Sequence, residues 1–207
     1  VNGYWDIPVE WPGATAFIVA SGHSVGLINL ELLRGQRIVA INTSFRAVPF
    51  ADYLIFADSR WWQHHRHELQ TAFPGRIVSC SQSERDQRLL RLRRSGKFCD
   101  DRDAVTVQAT TTTGAMELAV KLGAIRLVVL GLDGTVGPGG KMHHHKPHPW
   151  PLMNGWQARH RHDLVAIAAP LRQRGVEVIL GTPGSAYADL WPTVALTDLL
   201  DRALVAA

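Results

Sequence analysis

Residues 14–25 read Ala14-Thr15-Ala16-Phe17-Ile18-Val19-Ala20-Ser21-Gly22-His23-Ser24-Val25, an apolar run that breaks abruptly into Ser-Gly-x-Ser. The run lacks polar alternation, so it suits a strand buried on both faces, as in a parallel sheet covered by helices. Leu27, Leu30 and Leu33 follow at helical spacing and predict a helix directly after the turn. Small residues let the backbone turn sharply there, and free N–H groups at a helix start can meet an anion. A nucleotide phosphate is the ligand that this arrangement suits. The pattern carries a single glycine, unlike a dinucleotide fingerprint, and no Walker lysine. An ordinary strand-to-helix turn would look the same.

Working outward, the alternation repeats. Residues 37–41 form a second predicted strand, ending in the short polar side chains Asn42-Thr43-Ser44, and residues 53–58 form a third. Asp58-Ser59 is placed to cap a helix from Arg60 to about Thr71, which carries Trp61, Trp62, His64, His65 and His67. Residues 76–80 read as a fourth strand and 104–107 as a short one. Threonines 110–113 and Gly114 open a helix over 115–122, and hydroxyls beside free N–H groups offer a second phosphate or ribose contact. The clear buried strand at 126–131 ends in Leu132-Asp133-Gly134. A helix over 156–174, with Pro170 expected to kink it, leads to a last strand at 176–180 and a short helix from Thr197. Strands alternating with helices predict one α/β domain over 1–207 with a mostly parallel sheet and helices on both faces.

Two stretches stand apart. Residues 81–103 crowd Arg85, Arg88, Arg91, Arg93, Arg94 and Lys97 among Leu89, Leu90 and Leu92. This is either a solvated helix face or mobile excursion, or a patch for a phosphate-rich partner such as nucleic acid. Residues 135–155 form a Gly-, Pro- and His-rich loop holding His143, His144, His145, His148 and Trp150; long structureless loops in compact domains are usually functional or disordered.

Composition narrows the class. At 207 residues, with 46% hydrophobic and 19% charged residues, the chain is long enough for a proper core and reads as soluble and globular. No apolar stretch reaches a membrane span, and the first residues, which lack Met, also lack a signal peptide's basic start and apolar core. Cys80 and Cys99 have neither metal-ligand spacing nor the density of a disulfide framework, so a cytoplasmic setting is expected. A net charge of +4 and a pI near 9.4 favour anionic partners. Seven tryptophans are many for this length, and Trp61, Trp62, Trp150 and Trp156 sit in polar surroundings where an aromatic can stack on a ring or sugar as well as fill a core.

The order of these motifs carries a resemblance. Ala20-Ser21-Gly22-His23-Ser24, Asn42, Phe56-Ala57-Asp58-Ser59-Arg60-Trp61-Trp62, Thr112-Thr113-Gly114-Ala115, Gly131-Leu132-Asp133, the His-x-His-x-x-His run and Thr182-Pro183-Gly184-Ser185 follow one another. Together they resemble the bacterial lipooligosaccharide sialyltransferases and their relatives of the motility-accessory-factor and 6-hydroxymethylpterin pyrophosphokinase group, small phage-borne members above all. The resemblance covers roughly residues 14–195 and is weakest over 81–103. It implies a modified Rossmann-like fold with a nucleotide-sugar donor at the carboxyl ends of the strands. Carried over, Ser21, Gly22, Ser24, Asn42, Thr112, Thr113 and Gly114 hold the donor nucleotide. His23, Asp58 and Asp133 join them as candidate donor contacts, and Arg60, Trp61 and Trp150 are candidate acceptor contacts. A loop histidine acts as general base on the acceptor hydroxyl: His148 by position, with His145 and His143 as rivals. The usual Gly-x-Gly-Pro-Ser turn is Ala-Ser-Gly-His-Ser here. The family's phosphate-holding tyrosines lack a match, because no tyrosine lies between Tyr53 and Tyr187; Lys141 and histidines are the substitutes.

Three functions fit. The first is a glycosyltransferase with a nucleotide-sugar donor, a His base, no obligatory metal, and either a hydroxylated DNA base or a glycan as acceptor. The second is a Mg²⁺-dependent pyrophosphokinase or phosphotransferase acting on a small hydroxymethyl substrate, with the ion on Asp58 and Asp133. The third is a non-catalytic nucleotide or nucleic-acid binding protein. A metal on His143, His145 and His148 is a further reading of the loop. Relatives often assemble, so a homo-oligomer is among the partners that fit.

Overall fold

The computed structural model describes residues 3–150 and 154–205. Nine strands are defined among them: β1 (Thr15–Val19), β2 (Arg37–Ile41), β3 (Tyr53–Phe56), β4 (Arg76–Ser79), β5 (Leu90–Arg91), β6 (Arg93–Ser95), β7 (Ala104–Thr106), β8 (Arg126–Leu130) and β9 (Glu177–Leu180). Seven of them form one sheet in the order β5-β4-β3-β2-β1-β8-β9, with every described pairing parallel. The helices are α1 (Ser59–Ala72), α2 (Thr111–Lys121), α3 (Trp156–Gln173) and α4 (Leu196–Val205).

The unbroken apolar run of β1 is explained by two cores. Ala16 and Ile18 face one of them, with Met116 and Leu118 of α2 and Leu164 and Ile167 of α3. Phe17 and Val19 face the other, with Leu33, Trp61, Trp62 and Leu69. The strand is therefore covered by helices on one side and by α1 and two short turns on the other, as its sequence predicts. Pro170 lies inside the last turn of α3.

Two expectations are overturned. No α-helix follows β1: residues His23–Leu27 and Leu30–Leu33 form separate 3-10 turns. The leucine spacing was misleading because only part of it is buried; Leu33 is fully covered while Leu27 is 83% exposed. Nor is 81–103 a solvated helix face. Leu89 and Leu92 are buried, β5 extends the main sheet, and β6 pairs with β7 in a two-stranded sheet.

Much of that segment's charge is used within the chain. Arg88 pairs with Asp86, and Arg93 pairs with Asp101 and Asp103 at 2.9 and 2.6 Å. A buried ion pair on α2 anchors the segment. Lys121 Nζ donates to Glu117 Oε1 at 2.7 Å and to the carbonyls of Asp101 and Ala104 at 2.8 and 2.6 Å. Glu117 Oε2 in turn accepts the Thr106 N–H at 2.7 Å. These extra bonds satisfy charges that would otherwise be costly to bury. No helix among the described residues is long and apolar enough to cross a membrane.

Candidate active site

The chain runs outward from β1 through β2, β3 and β4, then returns to place β8 on the other side of β1. The carboxyl ends of β1 and β8 thus flank the point where strand order reverses, the usual ligand crevice of an open α/β sheet. A cleft of about 730 Å³ opens there, and its wall includes Ser21, Gly22, Asn42, Thr112 and Asp133.

The two loops at the reversal are pressed together. Gly22 N–H donates to the Gly131 carbonyl at 2.9 Å. Asp133, only 4% exposed, accepts the Ser24 N–H at 3.0 Å and the Ser24 hydroxyl at 2.5 Å. His23 Nδ1 lies 2.6 Å from the same carboxylate but off the line of a hydrogen bond. Ser24 and Asp133 therefore brace the turn, and the hydroxyl expected to meet the nucleotide is already committed. Ser21 and Gly22 keep their place on the cleft wall.

Asn42 lies just beyond β2 and is the one described non-glycine residue with positive φ, at 50°. A left-handed residue that lines a cleft is held there by its surroundings and is a functional signal.

At α2 the expected contacts shift by a residue or two. Thr110 caps the helix, its Oγ1 accepting the Thr112 N–H at 3.2 Å, and Thr110, Thr111 and Thr112 line the cleft. Thr113 instead turns its hydroxyl inward to the carbonyls of Thr106 and Thr110, at 2.7 and 3.0 Å. Gly114 packs on Val107, where an added methyl would come within 2.5 Å of a Val107 methyl. Asp163 of α3 holds the approach to the helix, accepting the N–H groups of Ala109 and Thr110 at 2.6 and 3.1 Å.

The histidine loop docks on the glycine turn. His143 forms a β-bridge with Gly22, the His144 N–H donates to the Ser21 carbonyl at 3.3 Å, and His144 Nε2 lies 3.2 Å from Ser44 Oγ. His148 lines the cleft and stacks on Trp150, with ring centroids 5.1 Å apart and planes 4° apart. Arg60 sits over the Trp150 ring at 5.6 Å. Burial pushes the loop imidazoles down: His144 to about 4, His145 to about 3 and His148 to about 4, with neighbouring histidines adding to each effect. They are neutral at pH 7 and able to accept a proton. Residues 151–153 of this loop lie outside the described residues.

Trp61 does not offer a stacking face to an acceptor. It is 2% exposed, packs on Phe56 and donates its indole N–H to Thr43 Oγ1 at 3.0 Å. Trp62 is likewise core, stacked on Phe56. Asp58 caps α1 by accepting the Arg60 N–H at 2.8 Å, and the Arg60 guanidinium lies 3.2 Å from its other oxygen. Among the described residues, no grouping of His, Cys, Asp and Glu is arranged to hold a metal ion.

Several cleft residues escape sequence reasoning. His160 sits on α3, Tyr187 comes from the tail, and Ser81 and Ser83 come from the segment after β4; Arg94, of the basic segment, joins them on the cleft wall. Burial lowers the pKa of His160 and raises that of Tyr187. For Tyr187 a signal existed: it is the one tyrosine after Tyr53, just beyond Thr182-Pro183-Gly184-Ser185.

No protein-family model matches the sequence, and no curated protein matches it. Solved structures do match. The sialyltransferase CstII from Campylobacter jejuni in complex with cytidine-5'-monophosphate aligns with a TM-score of 0.56 at 10% identity, covering 87% of this chain and 84% of that one. The same enzyme with CMP-3FNeuAc aligns at 0.55 and 10%, covering 86% and 85%. The monofunctional alpha-2,3-sialyltransferase Cst-I of the same organism aligns at 0.54 and 13%, covering 87% and 80%. This chain thus shares the Rossmann-like α/β fold of these bacterial sialyltransferases over most of its length.

Proposed function

We propose that this chain is a nucleotide-sugar glycosyltransferase, with a cytidine nucleotide at the β1–β8 reversal and His148 as general base. The observation that carries this reading is a neutral imidazole on the wall of the same cleft as the Ser21-Gly22 turn, Asn42 and the start of α2. The ligands bound by the structural neighbours, CMP and CMP-3FNeuAc, support the donor class.

In this mechanism the acceptor oxygen attacks the anomeric carbon as its proton passes to His148. The bond from that carbon to the nucleotide phosphate oxygen breaks, and the phosphate keeps the electron pair. N–H groups at the start of α2 and at Gly22 stabilise the leaving charge. A base near 4 is weak for this work; the phosphate's own negative charge, brought next to the loop, raises it. The mechanism as written uses no metal, and the two carboxylates that the metal-dependent alternative would use are committed: Asp133 to Ser24 and Asp58 to Arg60. That commitment also removes the support for the pyrophosphokinase reading.

The test is hydrolysis of a CMP-sugar, water standing in for the acceptor, by wild-type protein and His148→Ala. Turnover falls by on the order of 10²–10⁴ while CMP affinity is unchanged. Near-wild-type turnover in the variant rules out His148.

A further inference from the structure

The cleft continues past the nucleotide position to the carboxyl ends of β3 and β4. Three strand spacings separate β4 from β1, roughly 14 Å. On the glycosyltransferase reading, that distance from the reversal point leaves room there for the sugar or the acceptor rather than the nucleotide.

Arg94 and three serines build this end. Arg94 donates from Nε to the Cys80 carbonyl and from Nη2 to the Ala57 carbonyl, both at 3.0 Å. Those carbonyls immediately follow β4 and β3, so the guanidinium is clamped across the strand ends. Among the described residues, no hydrogen bond occupies its Nη1 and no carboxylate pairs with it, unlike Arg88 and Arg93 of the same segment. Ser59 Oγ lies 2.7 Å from Ser81 Oγ and 2.5 Å from Ser83 Oγ, and Ser81 Oγ lies 3.3 Å from Ser83 Oγ. Among the described residues only each other's oxygens compete for these three hydroxyl protons, so a ligand oxygen draws them from one another rather than from a backbone partner. The carboxylate at this end, Asp58, is already balanced by Arg60. All of these side chains line the same cleft.

We propose that this end of the cleft is an anion subsite. Arg94 Nη1 and the hydroxyls of Ser59, Ser81 and Ser83 take a carboxylate or phosphate carried by the sugar portion of a substrate. A guanidinium with one edge fixed is pre-organised for such a group, and its charge strengthens each bond. That the substrate is a sugar rests on the glycosyltransferase reading; the anion preference does not.

The test follows the Arg94 Nε–Hε resonance, assigned by its loss in Arg94→Lys, while inorganic phosphate or N-acetylneuraminate is added. The expected result is a saturable shift whose dissociation constant rises about tenfold in Ser83→Ala, the loss of one charge-assisted hydrogen bond. No saturable shift with either anion, or a shift that Ser83→Ala leaves unchanged, overturns the subsite. Repeating the phosphate titration with CMP-3FNeuAc bound separates the sources. A silent Arg94 places the anion on the donor sugar, and a responding one places it on the acceptor. If CMP fails to bind while Arg94 still responds, the nucleotide reading falls and the subsite stands.

Discussion

A methyl group at position 22 would sit 2.3 Å from the Gly131 carbonyl oxygen and 2.5 Å from Asp133 Oδ2. Gly22→Ala should therefore force the two central loops apart, at a cost of about 1–3 kcal/mol, and lower Tm by several degrees; an unchanged Tm would contradict the packing. Asn42 separates strain from recognition. Asn42→Gly relieves the left-handed backbone and should raise Tm, whereas Asn42→Ala should not. Both variants should lose CMP affinity, by about tenfold, if the amide contacts the nucleotide. Isothermal titration reads this directly, and wild-type affinity in Asn42→Gly would remove Asn42 from the site. At this scale the sequence was legible where a tight turn decides, as at Gly22, but it did not announce the left-handed backbone of Asn42. It was misleading where a hydroxyl has two ways to turn. Ser24 and Thr113 look like phosphate ligands, yet each satisfies a buried partner instead. Trp61 misled for a related reason: its helix is polar on average, but one face of it enters the core.

Among the elements, the histidine loop carries the clearest pH signature. The folded-state pKa values of His144, His145 and His148 lie below the ordinary value of 6.5, at about 4, 3 and 4. Below pH 6.5 the undocked loop binds more protons than the docked one. Docking is thus fully favoured above that pH and weakens as the pH falls toward 4. Hydrogen exchange should show the His144 amide, bonded to the Ser21 carbonyl, protected at pH 7.5 and exposed at pH 5 after correction for intrinsic rates. Equal protection would refute the linkage. The α2 anchor predicts a global effect. Lys121→Met strands the fully buried Glu117 carboxylate and should cost about 3–5 kcal/mol, read as a lower urea midpoint. Element identity was legible wherever an apolar run was buried throughout. Residues 81–103 were not, because their short strands, such as Leu90–Arg91, take their form from partners distant in sequence.

For the whole molecule, the parallel α/β sheet follows from alternating strands and helices, and the ordered motifs after strands one, two and eight converge on its reversal point. The strand order itself could not be read, since a local pattern does not say on which side of β1 a later strand returns. Sequence reasoning equally missed His160 and Tyr187, which reach the cleft from far along the chain, and it did not single Arg94 out from the basic segment around it. The proposed activity stands or falls with a cytidine nucleotide at that reversal point. A titration of isotope-labelled protein with CMP in the presence of EDTA, followed by amide chemical shifts, tests it most directly. Saturable shifts are expected at Ser21, Gly22, Asn42 and Thr110–Thr112, with residues of the opposite sheet end, such as Arg37 and Arg126, unmoved. Absence of binding, or shifts confined elsewhere, would contradict it.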